Sequence, residues 1–284
     1  MIYSICRYHV ENGRKVLLIV PTTSLVEQMY KDFEDYGWDA EKYCYKIYGG
    51  APRNTDQSVI ISTWQSIYKL DRKWFGNFEV VIGDEAHQFK SKSLVNIMTK
   101  MADTKYRYGF TGTLDGTQTH KWVLEGLFGP SYKIISTKKL QDAGYLAKLN
   151  IKVLIMKHDP QKFDTYEDEV QYIINSEKRN KFIKNLAHDL KGNTLILYSR
   201  VATHGQVLFD LINIGNRKVF FVHGGVDAQE REEVRRITET EKDAIIVASF
   251  GTFSTGINIK NLHNIIFASP SKSRIRTLQS IGRV

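Results

Sequence analysis

Residues 80–87, VVIGDEAH, constrain this chain more than any other stretch. The apolar run Val80, Val81, Ile82 is cut off by Gly83 and then by Asp84 and Glu85. A short apolar run that ends this abruptly reads as a buried parallel strand whose carboxyl end opens onto a site. Sheets of that kind bind their ligands at those ends. Adjacent carboxylates there suit one chemistry. Asp84 and Glu85 form a candidate metal site, holding Mg²⁺ on a nucleotide's phosphates through water. Glu85 is further placed to orient and deprotonate an attacking water. His87, one short turn on, can sense the phosphates or a partner domain. A strand ending in an acidic surface turn would read the same way, so the rest of the chain has to decide.

Strand-like runs alternate with helix-like runs throughout, the pattern of parallel sheets with crossover helices. In the first half the strands are expected at Val16–Val20, Lys46–Tyr48, Val59–Ser62, Val80–Gly83 and Arg107–Thr111. Leu25, Met29 and Phe33 recur at helical spacing and predict a helix over Ser24–Tyr36, with another over Ser93–Met101. After Tyr132 the pattern changes. A short helix is expected at Ser136–Gly144, then a strand at Leu149–Met156 that opens the second half. Helix Glu167–Leu190, strand Thr194–Tyr198, helix His204–Ile214 and strand Lys218–Val222 follow. Helix Ala228–Glu239, strands Ala244–Ala248 and Asn264–Ala268 and a last helix from Ser273 complete the chain. The expected domains are 1–147 and 148–284.

Further short motifs follow the strands in a fixed order. Pro21-Thr22-Thr23 comes after the first strand and Ser62-Thr63-Trp64-Gln65 after the third. Thr111-Gly112-Thr113 lies about a helix beyond the acidic pair. His223-Gly224-Gly225 precedes Arg231. Ser254-Thr255-Gly256-Ile257-Asn258 and Gln279-Ser280-Ile281-Gly282-Arg283 close the chain. Together these resemble the motif set of the superfamily 2 helicases and translocases over nearly the whole chain, with wording similar to that of phage repair and recombination helicases.

The resemblance implies an α/β protein of two RecA-like domains, each a parallel sheet flanked by helices. ATP and Mg²⁺ would serve as cofactors, and DNA, single-stranded or branched, or an RNA–DNA hybrid as partner. It implies Glu85 as general base, Asp84 on Mg²⁺, and Arg283, with Gln279 on the same helix, as a finger toward the terminal phosphate. His87, Thr111, Gly112 and Thr113 would couple nucleotide state to movement, and Gly256 and Asn258 would bind nucleotide. Thr22, Thr23, Thr63, Ser254 and Thr255 would hold the nucleic-acid backbone. Several readings compete with these. Thr23 or Ser24 would also serve as an N-cap, and Trp64, which could stack on a base, also suits a core.

Where the chain departs from the family, no GxxxxGK[ST] occurs in the sequence. The chain also stops inside the QxxGRxxR pattern, which suggests an internal part of a longer helicase. A motor subunit of a restriction or excision-repair system and a nonhydrolytic nucleic-acid-binding remnant remain as alternatives.

A net charge of +9 and an isoelectric point near 9.3 favour a polyanionic partner. No apolar run approaches the roughly 18 residues of a membrane span. Residues 1–15 do not read as a secretory signal. Cys6 and Cys44 make neither a disulfide framework nor a metal cluster and suit a reducing cytoplasm, that of an infected bacterium if the phage resemblance holds.

Overall fold

The computed structural model describes every residue except 113, 115, 146–148, 227, 255–258, 260 and 282–284, and gives the backbone alone at a further eleven positions in the second half. The chain divides into two compact units, Met1–Lys133 and Ile134–Val284.

The first unit is a five-stranded sheet in the order β2-β3-β1-β4-β5. Its strands are β1 (Val16–Val20), β2 (Cys44–Ile47), β3 (Val59–Thr63), β4 (Val80–Gly83) and β5 (Tyr106–Gly109). Every pairing is parallel. The continuous apolar reading of β1 and β4 has a direct cause, because both faces of the sheet are covered. Leu17, Ile19 and Val81 join one core layer with Phe75, Phe89, Leu94 and Ile97. Val16, Leu18, Val20, Val80 and Ile82 join the opposite layer with Val26, Phe33 and the helix Ile2–Glu11. All five residues of β1 are essentially unexposed. Each such side chain contributes roughly 1.5–3 kcal/mol on leaving water. Cys6 and Cys44 lie in the second layer as free, buried thiols. Burial pushes the Cys44 thiol up to about 12 and that of Cys6 higher still, so both act as small apolar side chains.

The second unit repeats the plan with four strands in the order β7-β8-β6-β9. These are β6 (Thr194–Tyr198), β7 (Val219–Val222), β8 (Ile245–Ser249) and β9 (Asn264–Phe267), again all parallel. Alternate residues of β6 serve opposite faces: Ile196 and Tyr198 in one layer, Leu195 and Leu197 in the other.

Two expected elements differ in kind, and one helix is unforeseen. The strand expected at Leu149–Met156 pairs with no strand among the described residues and carries no secondary structure. Ile151, Val153 and Ile155 are 67%, 81% and 84% exposed. β-Propensity fits a residue to a strand, but only a partner edge makes one. The long helix over Glu167–Leu190 is two, Tyr166–Asn175 and Glu177–Asp189, broken at Ser176. Ser176 leaves helical geometry (ψ 105°), and its hydroxyl accepts from the Arg179 amide at 3.4 Å, capping the second helix. A helix at Gln118–Phe128, not foreseen, follows β5. Among the described residues no helix is long and apolar enough to cross a membrane.

Candidate active site

In the first sheet β3, β1, β4 and β5 lie side by side, so the segments leaving their carboxyl ends share one edge. That edge carries Thr63 from β3, Pro21–Thr23 from β1, Asp84 and Glu85 from β4, and Phe110–Gly112 from β5. The motif segments of the first half therefore converge, though β1 ends at Val20 and β5 begins only at Tyr106.

Asp84 is tied to the neighbouring strand, its amide donating to the Ile19 carbonyl at 2.9 Å. Burial, and after it the charge on Glu85, pushes its carboxyl up to about 6. Glu85 is the single described non-glycine residue with positive φ (φ 49°, ψ 48°). A left-handed carboxylate-bearing residue costs about 1–3 kcal/mol and persists where surrounding bonds impose it. Those bonds are present. Ala86 donates to the Phe110 carbonyl at 2.7 Å, Phe110 to the Gly83 carbonyl at 2.8 Å, and Gln88 to the Glu85 carbonyl at 2.9 Å. A 3-10 helix, Ala86–Lys90, follows at once.

His87 is 8% exposed. Its Nδ1 lies 3.2 Å from Glu85 Oε2 and 3.1 Å from Thr111 Oγ1. The carboxylate at the end of β4 and the hydroxyl beyond β5 thus share one imidazole nitrogen. Gly112 is exposed beside them, and Thr113 lies outside the described residues.

Two glycines let aromatic rings close beneath this edge. A Cβ on Gly83 would sit 2.6 Å from Phe89 Cζ and 3.0 Å from Phe128 Cζ. One on Gly109 would sit 2.9 Å from Phe128 Cδ2. Phe89 and Phe128 meet edge to face at 5.0 Å. Gly83→Ala is expected to lower stability by about 1–3 kcal/mol, because the buried Phe89 ring has nowhere to go. A thermal or urea unfolding curve checks this, and an unchanged midpoint would contradict it.

The nucleic-acid candidates are more constrained than the sequence implied. Thr22 itself caps the helix Thr23–Asp35, its hydroxyl accepting from Leu25 N at 3.3 Å, so neither Thr23 nor Ser24 is the cap. Thr23 is the first helical residue, and it is exposed. Thr63 is only 4% exposed, with Oγ1 2.9 Å from Ser66 Oγ. Trp64 packs on the core layer and meets Tyr68 edge-on, which supports its reading as a core residue.

In the second unit His223, Gly224 and Gly225 leave the end of β7, with the Gly225 amide donating to His223 Nδ1 at 3.1 Å. Ser254 ends a short helix, Phe250–Ser254, and Gln279 belongs to the helix Arg274–Ile281; for both only the backbone is described. Thr255, Gly256, Asn258 and Arg283 lie outside the described residues.

Two histidines carry structure that no motif announced. His204 is fully buried, with Nδ1 2.8 Å from Ser269 Oγ and Nε2 3.3 Å from Asn180 Oδ1. Burial, then the charge of Arg179, pushes it down to about 4, so it is neutral. A neutral ring facing an amide oxygen donates from Nε2 and accepts at Nδ1. It thereby fastens Ser269, just past β9, whose Oγ also accepts from the Ser199 amide just past β6. His120, 4% exposed, sits 2.9 Å from the His87 carbonyl through Nε2. The sequence signal for it was the spacing His120, Leu124, Phe128, one face of a helix.

Comparison with known proteins bears on this arrangement. Residues 1–116 match the family described as type III restriction enzyme, res subunit, and residues 177–284 match the helicase conserved C-terminal domain. The chain is 36% identical over 293 aligned residues to the ATP-dependent DNA helicase UvsW of Enterobacteria phage T4, covering 99% of this chain and 58% of that protein. It is 21% identical to the probable helicase D10 of Escherichia phage T5, covering 96% of this chain and 59% of that protein. The chain thus spans little more than half the length of these relatives. Among solved structures, Mss116p bound to ssRNA and AMP-PNP is similar at TM-score 0.62 and 14% identity, covering 100% of this chain and 59% of that one. That likeness shows the fold: two parallel-sheet α/β domains of the RecA-like helicase kind. With these two family matches in sequence and the similarity to UvsW running the length of the chain, this protein belongs to the superfamily 2 helicases.

Proposed function

We propose that this chain is the motor core of an ATP-dependent helicase or branch-migration translocase that acts on DNA, including branched DNA and RNA–DNA hybrids, in phage recombination and repair. The observation that carries the reading is the acidic turn. A left-handed Glu85 stands beside a half-buried Asp84, and Glu85 is joined through His87 to Thr111 at the carboxyl edge of a parallel sheet. The named relative supplies the DNA and the ATP dependence.

The residues present fit Mg²⁺ on a nucleotide. Asp84 is raised by burial and by its acidic neighbour, which marks uncompensated negative charge where a cation is favoured. Asp84 and Glu85 would hold Mg²⁺ through water, and Mg²⁺·ATP when bound supplies the transferable phosphoryl group and neutralises its charge. Glu85 takes the proton of the attacking water on its carboxylate. His87 holds that carboxylate through Nδ1 and reports its position to Thr111. Gly112 and Thr113 would extend this coupling, Gly256 and Asn258 would contact nucleotide, and Arg283 and Gln279 would meet the terminal phosphate. Thr22, Thr23, Thr63, Ser254 and Thr255 would line the nucleic-acid track. We place the functional boundary between the domains at 147/148.

The sequence contains no GxxxxGK[ST], and that fact favours a second reading, a nucleic-acid-binding protein that does not hydrolyse ATP by itself. One set of measurements tests both. Residues 1–284 are expected to bind single-stranded or branched DNA at low salt with little sequence preference, since phosphate contacts carry no base information. Affinity should fall steeply as salt rises, because neutralised phosphates release counterions. Fluorescence anisotropy at several salt concentrations reads this, with Thr22→Ala and Thr22→Ser compared. Serine keeps the cap and the hydroxyl, whereas alanine removes both at a helix cost of about 1 kcal/mol. No binding by folded protein at low salt would refute the track. Equal binding by both variants would refute the role of Thr22. Hydrolysis by the parent once the phosphate loop is supplied in the same chain separates the motor from the second reading.

A further inference from the structure

The strongest observation that the motifs leave unused is His120. It lies in the first turn of the helix Gln118–Phe128, outside every motif named above, yet it is 4% exposed and reaches the backbone of the acidic turn. Its Nε2 is 2.9 Å from the His87 carbonyl oxygen, which can only accept, so Nε2–H is the donor. Two turns further along the same helix face, Phe128 packs against the positions of Gly83 and Gly109 and against Phe89. The helix thus grips the turn at both ends. One end holds the backbone two residues after Glu85, and the other fills the space beneath the strand that delivers it.

We infer that His120 is a positioning residue for the catalytic turn: its hydrogen bond to the His87 carbonyl holds Glu85 in its left-handed conformation and holds His87 Nδ1 between Glu85 and Thr111. The inference rests on the proposed function for the word catalytic, though not for the bond itself. Its physical basis is local. Glu85 occupies a backbone region that costs free energy unless neighbouring bonds impose it. The amides of Ala86 and Gln88 supply two such restraints, one to the Phe110 carbonyl and one within the turn to the Glu85 carbonyl. His120 supplies a third restraint, from the helix Gln118–Phe128, on the carbonyl of the intervening residue His87. The helix follows the Thr111-Gly112-Thr113 segment in the chain. A displacement of that segment would therefore reach the turn by two routes, the Thr111 hydroxyl and the His120 ring.

The test uses two variants. His120→Gln keeps an N–H donor at nearly the same reach, and His120→Leu keeps bulk without a donor. Hydrogen exchange is measured on residues 1–284 for the segment 83–90 and, as internal reference, for β1. Losing one buried hydrogen bond should speed exchange of the segment about tenfold in His120→Leu, with β1 unchanged and His120→Gln near the parent. Unchanged exchange of the segment in His120→Leu would overturn the inference. So would equal acceleration of β1 and the segment in both variants, since that is general loosening of the helix. In the protein extended by a phosphate loop, His120→Leu should lower kcat about tenfold with KM for ATP nearly unchanged, and His120→Gln should restore it. A faster-exchanging turn with unaltered kcat would overturn the positioning role. An extended parent without ATPase activity would instead refute the proposed function, leaving the exchange result to stand by itself.

Discussion

Glu85→Gln, made in a version of the protein extended by the phosphate loop, is expected to abolish ATP turnover while nucleotide binding stays near that of the parent. Glutamine preserves size and can stay hydrogen-bonded beside His87, whose Nδ1 is 3.2 Å from Glu85 Oε2. It cannot take a proton from water. Removing a positioned base costs about a hundredfold or more in rate. The backbone cost of the left-handed position is also unchanged, because glutamine and glutamate meet the same steric limits there. Stability should therefore move little, and a large fall in turnover with an unaltered melting point is the signature of chemistry and not of folding. Steady-state hydrolysis, a nucleotide-binding titration and a melting curve make the comparison. Turnover within about tenfold of the parent would remove Glu85 from the base role.

Asp84→Asn, unlike Glu85→Gln, should raise stability. Burial and the charge of Glu85 raise the folded-state carboxyl from its ordinary value of 3.8 to about 6. The folded protein therefore binds more protons than the unfolded chain between about pH 4 and pH 6. Stability falls as pH rises through that window, and the full penalty is present above it. Asparagine cannot ionise, so the variant escapes the penalty. It should match the parent near pH 4 and exceed it at pH 7–8 by about 1–3 kcal/mol. For a unit of this size each kcal/mol raises the melting temperature by about 2–4 °C. Melting curves across pH 4–8 read the difference. A variant no more stable than the parent at pH 8, or one equally favoured at pH 4, would show that the charge at this position carries no such cost. If the stabilised variant also fails to hydrolyse ATP in the extended protein, the acidic pair is a place where stability has been given up for function.

Much of this was legible in the chain. Val16–Val20 and Val80–Gly83 are strands with the bounds their composition predicted, because residues buried on both faces need no alternation and glycine ends the run. The acidic pair, His87 and Thr111 were legible as motif residues, since each sits at a strand end where the parallel sheet opens. Other features were decided only by packing. Leu149–Met156 has the composition of a strand but no pairing edge, and pairing is a property of two segments. Thr22, and not Thr23 or Ser24, caps its helix because the backbone turns one residue earlier than the polar cluster suggested. Nothing in the letters places a left-handed backbone at Glu85, since a glutamate carries no local preference for it. The bonds from Ala86 to Phe110 and from His120 to His87 join residues 24 and 33 positions apart, and only the folded sheet and its covering helix bring those partners to the turn. The sequence by itself determined the fold class, the motif order and the two carboxylates. The tertiary structure decided how Glu85 is held, because the restraints on it come from segments that local pattern cannot see.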